Sequence, residues 1–429
     1  MHRYLPLTRQ DRADMLADIG VKSVDDLYRD VPKAARHDAA FDLPSYQGEM
    51  AVEQQMAALA ARNRAAGKGP FFLGAGCYHH HVPASVDYII QRSEFMTAYT
   101  PYQPEIAQGT LQVIFEYQTM IAQVTAQDIA NASLYDGATA LAEAALMAMR
   151  LTEKRKIVIA TPLHPQYREV LDTYLAPLEV TVLTDAGEDT DTAALIVQSP
   201  DFFGQPHAYE AYRARCDAVG AKLIVVVTEI VSLGLLPAPA LADIVCGEAQ
   251  SVGLPMSFGG PHLGFFACGQ DYVRQMPGRL CGETVDVDGR KSYVLTLSTR
   301  EQHIRRDKAT SNICTNQGLC ALAFTVHMAL LGEAGFRNLA MLNHARACAL
   351  ADALTSLPGV TLKTQTFFNE FTLTLPRPAQ QVTDALLQAH NIIAGLVVGP
   401  NDLLIAATEM VSETDIAAFR DALAKVLNE

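Results

Sequence analysis

Three consecutive histidines, His79, His80 and His81, follow a glycine-rich triplet at residues 74–76. Imidazole nitrogens can ligate a metal ion, but adjacent residues of an extended segment alternate between its two faces. Three in a row therefore cannot easily bind the same ion. We predict that these histidines make local hydrogen bonds or contact a substrate, and we predict no metal site.

Residues 99–105 form a second candidate, because Tyr99, Tyr102, Gln103 and Glu105 are interspersed there with two prolines. Prolines stiffen the backbone and lower the entropy lost when neighbouring side chains are held in place. A stiff loop rich in tyrosine suits a binding surface. A rigid connector into the following helix, with Glu105 near the positive helix N-terminus, explains the same residues equally well.

Residues 133–140 have the pattern of a strand, a turn of small residues and a helix. The free N–H groups of a first helical turn can bind an anion, and Gly137 and Thr139 would let a phosphate approach closely. Alternatively, Asp136 caps the helix while the small residues pack against a sheet. Because a carboxylate at this point would repel an anion, the sequence favours the capping role.

The composition excludes several classes of protein. A formal net charge of −14 argues against a nucleic-acid partner. The eight cysteines contain no CxxC pair, so neither a zinc site nor a disulfide framework is indicated. No apolar run reaches the roughly 18–20 residues of a membrane span, and the first ten residues do not resemble a signal peptide. We expect a cytoplasmic protein.

Short apolar segments, such as residues 223–227, alternate with amphipathic stretches, such as residues 137–150, through the middle of the chain. This alternation predicts an α/β fold with a mostly parallel sheet covered by helices. From about residue 318 the pattern changes to that of a smaller α+β domain. We therefore expect an N-terminal arm at 1–55, a large α/β domain at 56–318 and a small C-terminal domain at 319–429.

Taken together, several of these segments resemble the P-protein of the glycine cleavage system in its split form. The most specific pieces are FMTAYTPYQPE at 95–105, YDGAT at 135–139, GGPHLG at 259–264 and RLCGETVD at 279–286. The resemblance runs from Tyr4 almost to the C-terminus, far beyond a lone glycine motif. The chain is similar to the subunit that corresponds to the N-terminal half of longer P-proteins.

This resemblance implies a type I fold of the pyridoxal-phosphate (PLP) dependent transferases, present in two kinds of chain. In the related half that carries the cofactor, a lysine precedes the glycine-rich segment, and its position falls on Gln250 here. No lysine lies between Lys222 and Lys291. A glutamine has no amine that could form a Schiff base. The aspartate that usually pairs with the pyridinium nitrogen is also missing, and Glu229 stands in the corresponding segment. The resemblance therefore implies that PLP is held by the partner subunit and not covalently by this chain.

The reaction implied by the resemblance is the decarboxylation of glycine and transfer of the aminomethyl group to the lipoyl arm of the H-protein, with PLP as the electron sink. The implied partners are the PLP-bearing subunit, the lipoylated H-protein and glycine, and we expect two copies of each subunit. We hypothesise that Tyr99 and Tyr102 donate hydrogen bonds in the partner's active site. On the same hypothesis Gln103 and Glu105 orient groups there, and residues 79–81 belong to the same wall.

Two alternatives remain open on the sequence. The chain could be a scaffold that stabilises the PLP subunit without contributing a side chain to the chemistry. It could also be a self-sufficient enzyme that uses another lysine, such as Lys291 or Lys308. The charged run at 300–308 is typical of a solvated surface, although it could attract an acidic partner.

Overall fold

The computed structural model describes residues 7–36, 43–97, 99–184 and 187–428. Parts of the predicted N-terminal arm, residues 1–6 and 37–42, and Ala98 of the first family segment lie outside the described residues. By its internal contacts the chain divides into two compact units, residues 1–64 and 65–429. The domain boundaries placed after residues 55 and 318 stay predictions.

The N-terminal unit contains two α-helices, α1 (Arg9–Ile19) and α2 (Glu49–Ala60). Helix α1 begins with a capping box, in which the Thr8 hydroxyl accepts from the Asp11 N–H at 3.1 Å and Asp11 accepts from the Thr8 N–H at 2.7 Å. Neither helix contains a buried residue. Helix α1 therefore forms without a covered apolar face.

A seven-stranded sheet forms the centre of the second unit, with the strand order β1-β7-β6-β5-β4-β2-β3. Its strands are β1 (Ile129–Ala130), β2 (Lys156–Ile159), β3 (Thr181–Thr184), β4 (Thr192–Gln198), β5 (Lys222–Val227), β6 (Ile244–Glu248) and β7 (Gly264–Cys268). Strands β2 to β6 pair in parallel, whereas β7 is antiparallel to both β6 and β1. The prediction of a mostly parallel sheet is confirmed, because continuous apolar strands such as β4 and β5 are buried on both faces.

The helices that follow in the chain up to residue 219 are α3 (Ala84–Ile90), α4 (Gln108–Thr125), α5 (Gly137–Thr152), α6 (Pro165–Leu175) and α7 (Glu210–Val219). Helix α5 is rich in alanine and nearly all of its first ten residues are buried. At its first residue, a side chain on Gly137 would lie 2.1 Å from the Tyr167 hydroxyl and 2.9 Å from the Gly247 backbone. Only glycine fits there, so α5 begins in close contact with the end of β6.

The last third of the chain contains a hairpin, a broken helix and a second sheet. Its elements are β8 (Leu280–Val285), β9 (Lys291–Thr296), α8 (Gln302–Arg305), α9 (Gly318–Thr355), β10 (Thr361–Leu362), β11 (Glu370–Thr374), α10 (Ala379–His390), β12 (Leu396–Val397), β13 (Asp402–Ala406) and α11 (Glu413–Asn428). Strands β10 to β13 form an antiparallel sheet in the order β10-β11-β13-β12. The α+β pattern predicted for this region is therefore observed, whereas the β8–β9 hairpin and α3 were not predicted.

Among the described residues, α9 is the one helix whose length and hydropathy would allow it to cross a membrane. Half of its apolar window is buried within the protein, as in the core helix of a globular domain. Gly332 also interrupts it with φ 58° and ψ −175°, which are not helical angles. The residues on either side of this glycine therefore form two helical segments of α9.

Candidate functional site

Gln250 lies two residues beyond the carboxyl end of β6, where parallel α/β sheets usually place their ligands. The residue is 1% exposed. Its Nε2 donates to the carbonyl of Leu254 at 2.8 Å and to that of Tyr78 at 3.4 Å, and its Oε1 accepts from the Tyr78 N–H at 3.3 Å. The amide is thus fully engaged with the backbone of two neighbouring segments.

Glu248, at the end of β6, lies over the N-terminus of α5. Its Oε2 accepts from the Gly137 N–H at 3.0 Å, and its Oε1 accepts from the N–H groups of Leu263 at 2.7 Å and Gln250 at 3.1 Å. Asp136 accepts from the Thr139 N–H at 2.8 Å. The capping role of Asp136 is what the structure shows, and a side-chain carboxylate occupies the place of the anion considered in the sequence.

His80 lies between two carboxylates. Its Nε2 is 3.1 Å from Glu229 Oε2 and its Nδ1 is 2.9 Å from Glu409 Oε2, and the imidazole is almost fully buried. Burial alone would lower its pKa, but Glu229 and Glu409 outweigh burial and raise the pKa to about 10. Glu229 also accepts from the Ser251 hydroxyl at 2.9 Å and from the Val231 N–H at 2.9 Å. The imidazolium therefore bridges residues that are far apart in the chain.

The other two histidines are placed differently. His79 is half-buried with its ring edge-on to Phe71, 6.0 Å between centroids, and His81 is exposed. Local hydrogen bonds or substrate contact were predicted for these histidines, whereas the hydrogen bonds of His80 join it to residues 149 and 329 positions away in the chain. Contact with a substrate stays a prediction. In the described part of the chain, no group of three metal-ligating side chains is present.

Tyr78 and Glu370 close the same pocket. Glu370 accepts from the Tyr78 hydroxyl at 2.9 Å and from the Ala75 N–H at 2.6 Å. Burial raises the pKa of Glu370 to about 7, although both hydrogen bonds oppose the shift. The cavity beside these side chains measures about 10 Å³, no more than one water molecule requires. Acidic residues in strands, Glu248 at the end of the apolar strand β6 and Glu370 at the start of β11, were the signal that the sequence analysis missed.

The loop at 99–105 forms a separate exposed surface. Tyr99 is 89% exposed and Tyr102 is 55% exposed, while Gln103 and Glu105 are also exposed. A single 3₁₀ turn, Pro104–Ile106, connects the loop to α4. Helix α4 therefore begins at Gln108, after the loop and this turn. Within the ranges described above, no hydrogen bond or ion pair joins this loop to the Gln250 pocket.

The comparisons with known proteins agree with this geometry. The sequence profile of the family described as "Glycine cleavage system P-protein" matches residues 2–423. The chain belongs to the glycine cleavage system P-protein family. It is 55% identical to the probable glycine dehydrogenase (decarboxylating) subunit 1 of Caulobacter vibrioides, over 99% of both chains. It is also 55% identical to the protein of the same description from Rhodospirillum centenum, over 99% of this chain and 100% of that relative.

The solved structures give the same result for the fold. A crystal structure of glycine decarboxylase (P-protein) of the glycine cleavage system, in inhibitor-bound form, superposes with a TM-score of 0.90 at 43% identity. It covers 99% of this chain and 100% of that chain. A glutamate decarboxylase from Lactobacillus brevis has a TM-score of 0.68 at 13% identity, over 92% of this chain and 96% of the other. The second likeness shows the fold alone. The type I fold of PLP-dependent enzymes is therefore confirmed.

The pocket of this P-protein chain does not fit PLP. Gln250 offers no amine, and its amide is hydrogen-bonded to backbone. Glu248 covers the N-terminus of α5, and Glu229 is held by His80 and Ser251. Tyr78 is hydrogen-bonded to Glu370, and the cavity that these two residues line together with Glu229 measures only about 10 Å³.

The lysines considered as alternatives lie away from the pocket. Lys291 is on β9, exposed, and its Nζ lies 2.6 Å from a Glu283 carboxylate oxygen. Lys308 is in an exposed 3₁₀ turn. Neither amine is among the contacts of Gln250, so the geometry offers no support for a self-sufficient enzyme.

We expect Glu248, Glu370 and His80 to lower the free energy of unfolding as the pH rises from about 5 to about 9. Below about pH 6.5, three histidines whose pKa burial lowers contribute in the opposite direction, His79, His164 and His327. Burial raises the pKa of Glu248 and of Glu370 to about 7, and the two carboxylates raise that of His80 to about 10. In each case the folded chain keeps a proton that the unfolded chain has released. The stabilisation is fully present below the unfolded pKa and is lost as the pH rises through the folded pKa. Urea unfolding at about pH 5.5, 7 and 8.5 measures this slope, up to about 1.4 kcal/mol per pH unit for each group.

The variant Glu370→Gln tests how much Glu370 contributes to the change of the free energy of unfolding with pH. It removes a titrating group while keeping an acceptor for Tyr78 or Ala75. Between about pH 5 and 7 its stability should therefore fall less steeply than that of the parent chain. If the free energy of unfolding of the parent chain rose over the whole range from about pH 5.5 to 8.5, these groups would not be buried as described.

Proposed function

We propose that this chain is the cofactor-free subunit of a two-subunit glycine dehydrogenase (decarboxylating). It works with a PLP-bearing subunit to decarboxylate glycine and to transfer the aminomethyl group to the lipoyl arm of the H-protein. Membership of the P-protein family supports the reaction, and the relatives described as subunit 1 support a second kind of subunit.

The filled Gln250 pocket is the observation that carries the assignment of the cofactor to the partner. A subunit that performed the chemistry alone would need an amine and space for the cofactor. Here Gln250 takes the position of the amine, and Glu248 takes the position of the cofactor at the N-terminus of α5. The chain keeps the fold and the length of its relatives. We therefore infer that it contributes to the reaction as part of an assembly with the PLP-bearing subunit. We propose two copies of each subunit, located in the cytoplasm.

The exposed loop at 99–105 is the surface that we assign to the partner's active site. Tyr99 and Tyr102 present large exposed aromatic side chains on a backbone stiffened by Pro101 and Pro104. Such side chains lose little conformational entropy when they bind. In the assembly, Tyr99 and Tyr102 donate hydrogen bonds at the shared site, while Gln103 and Glu105 orient groups there.

The test is the exchange of carbon dioxide into glycine, with lipoylated H-protein present. We expect no exchange with this chain alone and full exchange only when the PLP-bearing subunit is added. Exchange by this chain alone would overturn the assignment of the cofactor. Full exchange by the partner alone would instead favour a scaffold that contributes no side chain to the chemistry.

The double variant Tyr99→Phe/Tyr102→Phe tests the loop directly. It retains both rings and removes both hydroxyls, so the complex should assemble while turnover falls by about 10²-fold. Tyr88 offers a matched control, because it is also exposed and lies on α3 outside the loop. Tyr88→Phe should leave turnover unchanged. Unchanged turnover in the double variant would exclude a direct role for the two hydroxyls.

A further inference from the structure

Arg279 lies behind the exposed loop, and only 5% of the residue is exposed. Its Nη2 donates to the Tyr102 hydroxyl at 2.7 Å and also to the carbonyl of Cys314. The guanidinium carbon is 5.4 Å from the centroid of the Tyr102 ring. A fixed, buried positive charge therefore lies directly against a tyrosine whose other side is exposed.

A neighbouring arginine shows what a purely structural role looks like here. Arg300 is also buried, and each of its three nitrogens donates to a backbone carbonyl, those of Leu297, Met276 and Gly278. In contrast, Nε and Nη1 of Arg279 make no hydrogen bond, although Nε lies 3.2 Å from a Glu301 oxygen. The contact between Nε and Glu301 is an ion pair of two largely buried side chains, so among the described residues Nη1 is the nitrogen of Arg279 that is buried without a partner. The backbone carbonyl to which Arg279 donates is that of Cys314. Hydrogen bonds to backbone carbonyls therefore do not explain the position of Arg279 as they explain that of Arg300.

The direction of the hydrogen bond from Arg279 decides what Tyr102 can do. A guanidinium has no lone pair to offer, so the Tyr102 oxygen must be the acceptor. The hydroxyl proton then points elsewhere, and the described residues provide no acceptor for it. A charged donor on the oxygen also strengthens the donation that the same hydroxyl makes. Tyr102 is therefore held as an outward-facing hydrogen-bond donor.

We propose that Arg279 is a positioning residue for Tyr102 in the shared active site. It fixes the phenol so that the hydroxyl donates to an anionic oxygen of the amino acid bound in the partner subunit. The His303 ring, edge-on to Tyr102 at 5.5 Å between centroids, limits rotation of the ring on another side. This inference rests on the proposed function, because it needs the loop to face the partner's site.

A double-mutant cycle separates positioning from stability. The variants are Tyr102→Phe, Arg279→Lys and the combination, each reconstituted with the PLP-bearing subunit and H-protein and assayed for kcat and KM of glycine exchange. Lysine keeps the charge but loses the planar guanidinium, whose Nη2 donates to both Tyr102 and Cys314 while Nε pairs with Glu301. We expect each single variant to lower kcat by roughly tenfold and the double variant to be no worse than either. Losses that multiply to about a hundredfold would overturn the inference.

Arg300→Lys provides the matched control, since it also shortens a buried arginine. Its effect on kcat, if any, should multiply with that of Tyr102→Phe, because its partners are backbone carbonyls only. Thermal unfolding and co-elution with the partner subunit establish that each variant folds. If Arg279→Lys does not fold, Arg279→Gln replaces it in the same cycle.

The failures of the two proposals can be told apart. If the kcat of Tyr102→Phe were unchanged, Tyr102 would have no role in the shared site, and the role proposed for the loop at that residue would be wrong. A reduced kcat in Tyr102→Phe that multiplies with the Arg279 effect would leave the loop in place and reject only the positioning role.

Discussion

Replacing His80 with alanine is expected to lower the free energy of unfolding by about 3–5 kcal/mol near neutral pH. The imidazolium lies between Glu229 and Glu409, and removing it leaves two buried carboxylates without their opposite charge. Burial would raise the pKa of Glu409, but His80 outweighs burial and lowers it to about 2, which reflects the same attraction. Thermal or urea unfolding of the isolated subunit measures the loss.

His81→Ala is the matched control, because it removes a neighbouring imidazole that is exposed. It should change the free energy of unfolding by less than about 0.5 kcal/mol. His80→Gln refines the result, since glutamine can hydrogen-bond to one of the carboxylates but carries no charge. If His80→Ala were as mild as His81→Ala, the charge between Glu229 and Glu409 would not hold the pocket together.

The central sheet was predictable because its strands are buried on both faces. A continuous apolar run such as residues 223–227 marks a covered parallel strand without further information. The β8–β9 hairpin escaped prediction because its strands are only partly buried and mix polar with apolar residues. Its turn did carry a signal, since Asp288-Gly289 is a typical hairpin dipeptide, and the Gly289 N–H donates to the Asp286 carbonyl at 3.0 Å.

The site was predictable only where a residue type differs from what the fold requires. Gln250 was identified because a lysine is missing, and Glu229 because an aspartate is missing. The residues that fill the pocket could not be found in this way. His80 meets Glu409 across 329 positions of sequence, and no local pattern encodes such a contact. The same holds for Arg279 and Tyr102, which are 177 positions apart.

The second large effect is expected for Glu248→Ala. The carboxylate accepts from the N–H groups of Gly137, Leu263 and Gln250, and alanine would leave all three buried donors without a partner. At about 1–3 kcal/mol for each of the three donors, the free energy of unfolding should fall by about 3–9 kcal/mol. Unfolding by urea measures this loss against Glu283→Ala, an acidic residue on the exposed face of the β8–β9 hairpin, where little change is expected.

Rescue by a small anion distinguishes this explanation from a loss of packing. The cavity left by Glu248→Ala would lie at the N-terminus of α5, where the N–H groups and the helix dipole favour negative charge. At about pH 8.5, above the pKa of about 7 to which burial raises the Glu248 carboxyl, added formate or acetate should therefore raise the unfolding temperature of Glu248→Ala more than that of the parent chain. Chloride at equal ionic strength provides the comparison for a general salt effect. Equal shifts in the two chains would mean that the carboxylate does not serve as the anion of this helix.

Glu248→Gln separates the two oxygens of the carboxylate. An amide can keep its oxygen toward Leu263 and Gln250, but its NH₂ group then faces the Gly137 N–H, donor against donor. The expected loss is intermediate, about 1–3 kcal/mol for the one unpaired donor at Gly137. Because formate cannot enter a site that the amide still fills, this variant should not be rescued. If the Glu248 carboxylate serves as the anion of this helix, we expect three results: a large loss of stability in Glu248→Ala, its rescue by formate or acetate, and an intermediate loss without rescue in Glu248→Gln. If Glu248 only fills volume, Glu248→Gln should be as stable as the parent chain.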